Sequence, residues 1–230
     1  MPRTVNVAVH QVRREAFLDA AQHLIQTKGY EEMSVQDVID ALETSRGAFY
    51  HYFDSKQALL EAVVRRIADA GMLVVSSVMS DPTLPAIRKV ERVFGTISDF
   101  KAEQVELMVA LAEVWRSDGN AIVREKLRRL SASLIGPILA AIVKQGVEEG
   151  AFQIESPDET ATILIALIQS YQQLAAEQFL GRRDGTVTWD TVQRTCSAVT
   201  EAFERILGIP AGSVTLMNRA TLHFWYGEEA

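Results

Sequence analysis

Cysteine is almost absent from this chain. Cys196 is the only one in 230 residues, so no disulfide can form within it. A stapled secreted scaffold is thereby excluded, and a reducing compartment suits the composition. A lone cysteine in a late apolar segment reads as a buried small hydrophobe. Prolines number only six, which leaves long stretches without a breaker. Long hydrophobic runs are missing too. Leu134 to Val143 is broken by Gly136-Pro137, and Ile163 to Ile168 is shorter still. Both fall below the ~20 residues that span a bilayer. The opening MPRTVNVAVHQVRRE lacks the apolar core of a secretory signal. A soluble, cytoplasmic protein is the expectation.

The chemistry of an enzyme is equally scarce. His10, His23, His51 and His223 are scattered and show no metal-ligand spacing. There is no Gly-rich phosphate loop and no nucleophile motif. Paired carboxylates such as Glu148-Glu149 sit where solvation explains them. Neither catalysis nor a metal or organic cofactor is expected. Excess positive charge is lacking as well: the net charge is −7. Residues 1–56 hold six basic side chains against eight acidic ones. Any affinity for DNA must therefore come from where charges sit and not from their sum.

What the chain does have is apolar residues, 48% of the total, at helical spacing. Phe17, Ala20, Ala21, Leu24 and Ile25 form a stripe on a first helix over about 10–28, closed by Gly29. Ser34 as N-cap, Asp37 three residues on, and Met33 against Val38 start a second helix that runs to about Leu42. A third, over about 45–52, is too short to stand without packing, for which Phe49 and Phe53 are the anchors. Asp54 or Ser55 caps a long fourth helix, and Asp81-Pro82 and Pro85 mark the first break. Further helices are predicted at 84–100, 103–116, 120–148 (kinked at Gly136-Pro137), 158–180 and 188–207. Strand alternation is rare, so the fold class is all-α. The tail from 209 to 230 holds Leu222, Phe224, Trp225 and Tyr226, and is expected to dock as helix or strand on its own domain or a partner.

Short helix, tight turn and short helix make the layout of a helix-turn-helix, whose second helix enters the DNA major groove. Gly47 and Ala48 are small where a backbone must approach base edges, and Arg46 can grip guanine with two hydrogen bonds. Thr44 and Ser45 open that helix and can bond phosphate at its positive end. Tyr50, His51 and Lys56, with Ser34, Val35 and Gln36 at the start of the second helix, complete the candidate contact surface.

The segment also resembles the TetR family of ligand-responsive regulators. The resemblance rests on Gly29-Tyr30, Ser34-Val35, the run from Ser45 to Phe53, and Ser55-Lys56, and it covers roughly residues 12–66. Two positions depart from it. Glu43 stands where the family has a turn glycine, and Thr44 where it has a hydrophobic residue. A non-glycine in a left-handed turn costs about 1 kcal/mol, and Glu43 brings a negative charge toward the phosphates.

The resemblance implies an arm at 1–9, a DNA-binding domain at 10–70, and a larger helical ligand-binding and dimerisation domain at 71–208. Candidate ligand contacts are Phe94, Phe100, Met108, Leu111, Trp115 and Gln169. Glu113 is better explained by an ion pair on the helix surface. Leu164, Leu167, Tyr171 and Leu174, with Val199, Ala202, Phe203 and Ile206 on the last helix, are the candidate dimer interface, as a four-helix bundle between subunits. The expected function is a homodimeric repressor that leaves an inverted-repeat DNA operator when a small molecule binds. The alternative is a module that kept the fold for ligand or protein binding and lost DNA.

Overall fold

Ser34 decides where the helix-turn-helix begins. In the computed structural model, which describes residues 7–116 and 118–227, it caps α2 (Val35–Ala41). Its hydroxyl accepts from the Asp37 amide at 3.1 Å, and the Asp37 carboxylate accepts from the Ser34 amide at 2.7 Å. This reciprocal box satisfies two of the helix's orphan amides. Lys28, at the end of α1 (Val7–Lys28), adds an ion pair to Asp37 at 2.9 Å. The Lys28 hydrogen bond, followed by those that the Ser34 amide and hydroxyl donate to the same carboxylate, holds the Asp37 carboxyl down to about 2. Of the arm at 1–9, residues 1–6 lie outside the described residues, and α1 starts at Val7 instead of residue 10.

α3 (Arg46–Tyr52) and α4 (Lys56–Met79) follow, then α5 (Ala86–Ala102), α6 (Val105–Arg116) and α7 (Ala121–Glu148). α8 (Pro157–Arg183), α9 (Trp189–Leu207) and α10 (Arg219–Tyr226) complete the fold. No strand occurs among the described residues. α7 stays helical through Pro137, which is exposed. It is therefore one helix long and apolar enough to cross a membrane by length and composition, unlike the broken run read from the sequence. Val123, Leu127, Leu139, Ile142 and Val143 along it are buried in the cores of the two units.

The chain divides into two compact units, and the division is not the simple cut near residue 70 that the sequence suggests. One unit takes the chain through Ile67 together with Val105–Leu127; the other takes Ala68–Gln104 and Arg128 onward. The first unit's core combines Phe17, Phe49 and Phe53 with Leu107, Leu111 and Val114 of α6. Phe17 touches both other rings edge-on, with centroids 5.9 and 6.1 Å away. Leu59, Leu60 and Val63 of α4 pack on the same rings, and α6 with the start of α7 closes the core. The α6–α7 corner is tied in through Asn120, which is buried. Its amide donates to the Glu31 carboxylate at 2.6 Å and to the Val114 carbonyl at 3.3 Å. Arg66 of α4 donates to Glu15, Asp19 and Gln22 of α1.

In the second unit, Phe203 and Leu207 of α9, Leu164 of α8 and Ile142 of α7 are wholly buried. A strap after Gly208 lays Val214 and Leu216 into the same core. The buried Glu204 carboxylate accepts from the Val214 amide at 3.1 Å, and Glu91 accepts from the Thr215 amide at 3.0 Å. The aromatic tail then forms α10, whose Leu222 and Tyr226 pack with Trp189, Val192 and Cys196.

Candidate nucleic-acid interface

The turn between α2 and α3 is built at the cost of one unfavourable residue. Thr44 donates its amide to the Ile39 carbonyl and Glu43 its amide to the Asp40 carbonyl, both at 3.1 Å. These are the paired bonds of a Schellman closure, which needs a left-handed residue just past the helix. That residue is Glu43, with φ of 46°, and no other non-glycine among the described residues has a positive φ. The departure noted in the sequence therefore changes the residue and leaves the turn geometry intact.

Ser45 then starts α3, its hydroxyl accepting from the Ala48 amide at 3.2 Å. Phe49 is fully buried and Phe53 nearly so, which fixes the face that α3 turns outward. That outward face carries Arg46, Gly47, Tyr50 and His51, all exposed, with Ser34, Gln36 and Ser45 exposed beside it. The Arg46 guanidinium lies over the Tyr50 ring at 5.8 Å. Gln36 donates to Asp40 at 2.7 Å, a bond along the same helix. A Cβ added at Gly47 would meet nothing closer than the Ser45 hydroxyl at 3.9 Å. Nothing inside the protein demands glycine there.

The remaining candidates differ. Val35 packs against the core, while Thr44 and Ala48 are half-buried. Lys56 is engaged internally: its ammonium donates to the Glu31 carbonyl at 3.1 Å and sits 4.3 Å from the Tyr30 ring centroid. Burial pushes its pKa down, and burial with Glu31 and Glu61 nearby lifts the Tyr30 phenol to about 12. Lys56 thus braces the loop before α2 first, a role that spacing alone did not reveal. His10 of α1 lies beside this face, 5.6 Å from the His51 ring and 4.6 Å from the Tyr52 ring.

Against known families, residues 17–63 match the model of bacterial regulatory proteins of the tetR family. Residues 101–186 match the C-terminal domain of tetracyclin repressor-like proteins. Together the two matches cover more than half of the chain. The chain belongs to the TetR family. Among curated relatives, the HTH-type transcriptional repressor DhaR of Mycobacterium sp. (strain GP1) is 27% identical over 66% of this chain and 77% of its own length. The repressor KstR2 of Rhodococcus jostii (strain RHA1) is 24% identical over 79% and 86%. A solved TetR-family regulator structure from Syntrophomonas wolfei str. Goettingen superposes with a TM-score of 0.63 at 15% identity, covering 88% of this chain and 99% of that one, and so shares the fold. This TetR-family chain is a sequence-specific DNA-binding transcriptional regulator.

The sequence-derived ligand and dimer residues scatter when placed in the fold. Met108, Leu111 and Trp115 belong to the core of the helix-turn-helix unit, and Glu113 pairs with Arg116 at 2.8 Å. Gln169 exchanges hydrogen bonds with Arg128 at 2.8 and 2.9 Å. The ring of Phe100 packs over Gly71. Of the six, Phe94 borders a cavity shared with Tyr171 and Phe203. Leu164 and Phe203 are fully buried within their own unit, so neither can meet a second subunit. Leu167, Val199 and Ile206 pack partly on that same core, and Ala202 is half-buried. Tyr171 borders the cavity; Leu174, at 45% exposed, is the one outward-facing residue of the set. An apolar face on a helix serves core and interface equally, and only packing assigns it.

Proposed function

We propose that this regulator is a homodimeric, cytoplasmic repressor, without enzymatic activity, that leaves an inverted-repeat operator when a small molecule binds its second unit. One observation carries the DNA half of this reading. α3 presents Gly47 with nothing of the protein's own filling the space, flanked by exposed Arg46, Tyr50 and His51. Base choice falls to Arg46 and the small residues Gly47 and Ala48, while Ser34, Gln36, Thr44, Ser45, Tyr50 and His51 fix register on phosphates. Val35 and Lys56 support that surface from beneath.

α4 and α7 each run from one unit into the other, so two helices are available to carry a change from effector to DNA. A molecule that binds one state better shifts the population toward it, and operator release follows. The subunit interface is assigned to the outer face of α8, where Ile163 and Leu174 are 55% and 45% exposed.

The test is selection of bound duplexes from a random pool at about 0.15 M salt, a range where phosphate contacts alone are weak. The expected product is an inverted repeat with half-sites ~34–36 Å apart. A folded protein that enriches no sequence overturns the proposal and favours a module that has lost DNA binding.

A further inference from the structure

Residues 1–56 carry more acid than base, so affinity for DNA depends on which charges the fold has already paired. Most acids around α1 are taken. Arg66 of α4 binds Glu15 at 3.2 Å and Asp19 at 2.7 Å. On α2, Lys28 holds Asp37 at 2.9 Å and Gln36 donates to Asp40 at 2.7 Å. On α6, Glu113 pairs with Arg116, while Glu106 is exposed. The bases at the start of α1 are engaged differently. His10 is half-buried beside α3, its ring 5.6 Å from that of His51 and steeply inclined to it. Tyr52 touches both imidazoles, at 4.6 and 5.0 Å. Arg14 lies over Phe53 and 3.8 Å from Glu15, and Arg13 lies over Phe17 at 5.9 Å. Among the described residues neither imidazole has a hydrogen-bond or ion-pair partner, and no carboxylate pairs with Arg13. Two imidazoles and a guanidinium thus stand unneutralised at one edge of the recognition helix.

We propose that His10 and His51 together grip one DNA backbone phosphate in their charged forms, so that binding DNA takes up protons. His10 is the added contact, and the proposal rests on α3 being the helix that reads DNA. A recognition helix puts its N-terminal residues on base edges, which brings its last turn, here His51, toward the sugar–phosphate wall of the groove. A phosphate oxygen lying between rings whose centres are 5.6 Å apart can accept an N–H from each. A neutral imidazole offers one donor; the charged ring offers two and attracts the phosphate as well. Phosphate therefore binds the charged rings better, and by linkage DNA favours their protonation. Affinity rises as pH falls through the range where imidazoles titrate, about pH 8 to 5. Arg13, one turn along the same face of α1, adds a positive charge that stays fixed over that range.

The full-length protein is titrated with a labelled duplex of about 30 base pairs and arbitrary sequence, whose binding rests on phosphate contacts and needs no operator. Between about pH 8 and pH 6 the affinity of wild type should rise about tenfold, the size of one charge-assisted hydrogen bond. The binding heat should also vary with the ionisation enthalpy of the buffer, as proton uptake requires. His10→Phe keeps a ring against Tyr52. Its affinity should rise only about threefold over the same range, from His51, and its salt slope at about pH 6 should flatten by up to about one. His10→Lys makes the charge permanent and should bind at about pH 8 as tightly as wild type does at about pH 6. His23→Gln, near the other end of α1, should behave as wild type. Binding by wild type without proton uptake overturns the phosphate site. So does a His10→Phe loss that is equal at both pH values with the salt slope unchanged, the mark of a packing role. Should the Phe variant melt early, His10→Lys decides: no gain at about pH 8 overturns the proposal. A wild type that binds no duplex at either pH overturns the DNA-reading role of α3 itself, a result distinct from binding that ignores pH.

Discussion

Replacing Glu43 isolates the cost of the turn. Its φ of 46° places an L-residue with a side chain in the left-handed region, at ~1–2 kcal/mol relative to a relaxed backbone. Glycine removes that strain but adds freedom to the unfolded chain, which returns about 0.5–1 kcal/mol. Glu43→Gly should therefore stabilise the fold by a net ~0.5–1 kcal/mol. Glu43→Gln keeps the strain and loses only the charge, so its stability should stay within about 0.5 kcal/mol of wild type, as for an ordinary surface change. For a chain of this length the Gly variant should melt about 1–4 °C higher. DNA affinity behaves differently. A carboxylate ~10 Å from a phosphate costs about 0.4 kcal/mol in water before screening. Both variants remove that charge, so both should bind operator about twofold more tightly, with the gain shrinking in salt. Differential scanning calorimetry and titration of a labelled duplex read the two effects apart. A Gly variant no more stable than the Gln variant would refute the strain argument. Affinity gained by Gly alone would refute the charge argument.

Gly47→Ala should raise helix stability by up to about 1 kcal/mol while weakening operator binding, opposite signs that a residue with only a structural role would not give; denaturation and duplex titration read them. Arg46→Ala should relax base preference, losing about 1–3 kcal/mol of discrimination between operator and mismatched duplexes in competition binding. The Asp37 carboxyl is lowered in the folded state, so its contribution to stability is complete above its unfolded value near 3.8 and disappears as pH falls toward 2. Acid unfolding of Asp37→Asn should thus lack the part of the transition that wild type shows between about pH 4 and 2. Leu107→Ala, outside the predicted DNA-binding segment yet fully buried in its core, should cost about 2–5 kcal/mol and speed hydrogen exchange in α1 and α3.

The sequence by itself determined whatever depends on neighbours a few residues apart. Ser34 and Asp37 form their capping box because three residues separate them, and Ser45 caps α3 by the same local geometry. Glu43 was read as a glycine substitute in a left-handed turn, and the backbone places it there. The outward face of α3 follows from Phe49 and Phe53 as its buried anchors. Tertiary structure decided the rest, because an apolar stripe states that it will be buried without naming its partner. α6 carries such a stripe and closes the helix-turn-helix core, where Met108, Leu111 and Trp115 pack. Phe203 and Leu164 carry another and serve their own unit. The long-range contacts of Asn120 with Glu31, and of Met217 with Tyr171, join residues 89 and 46 positions apart. No spacing rule reaches that far, since such pairs are selected by the closure of a core and not by the pitch of a helix.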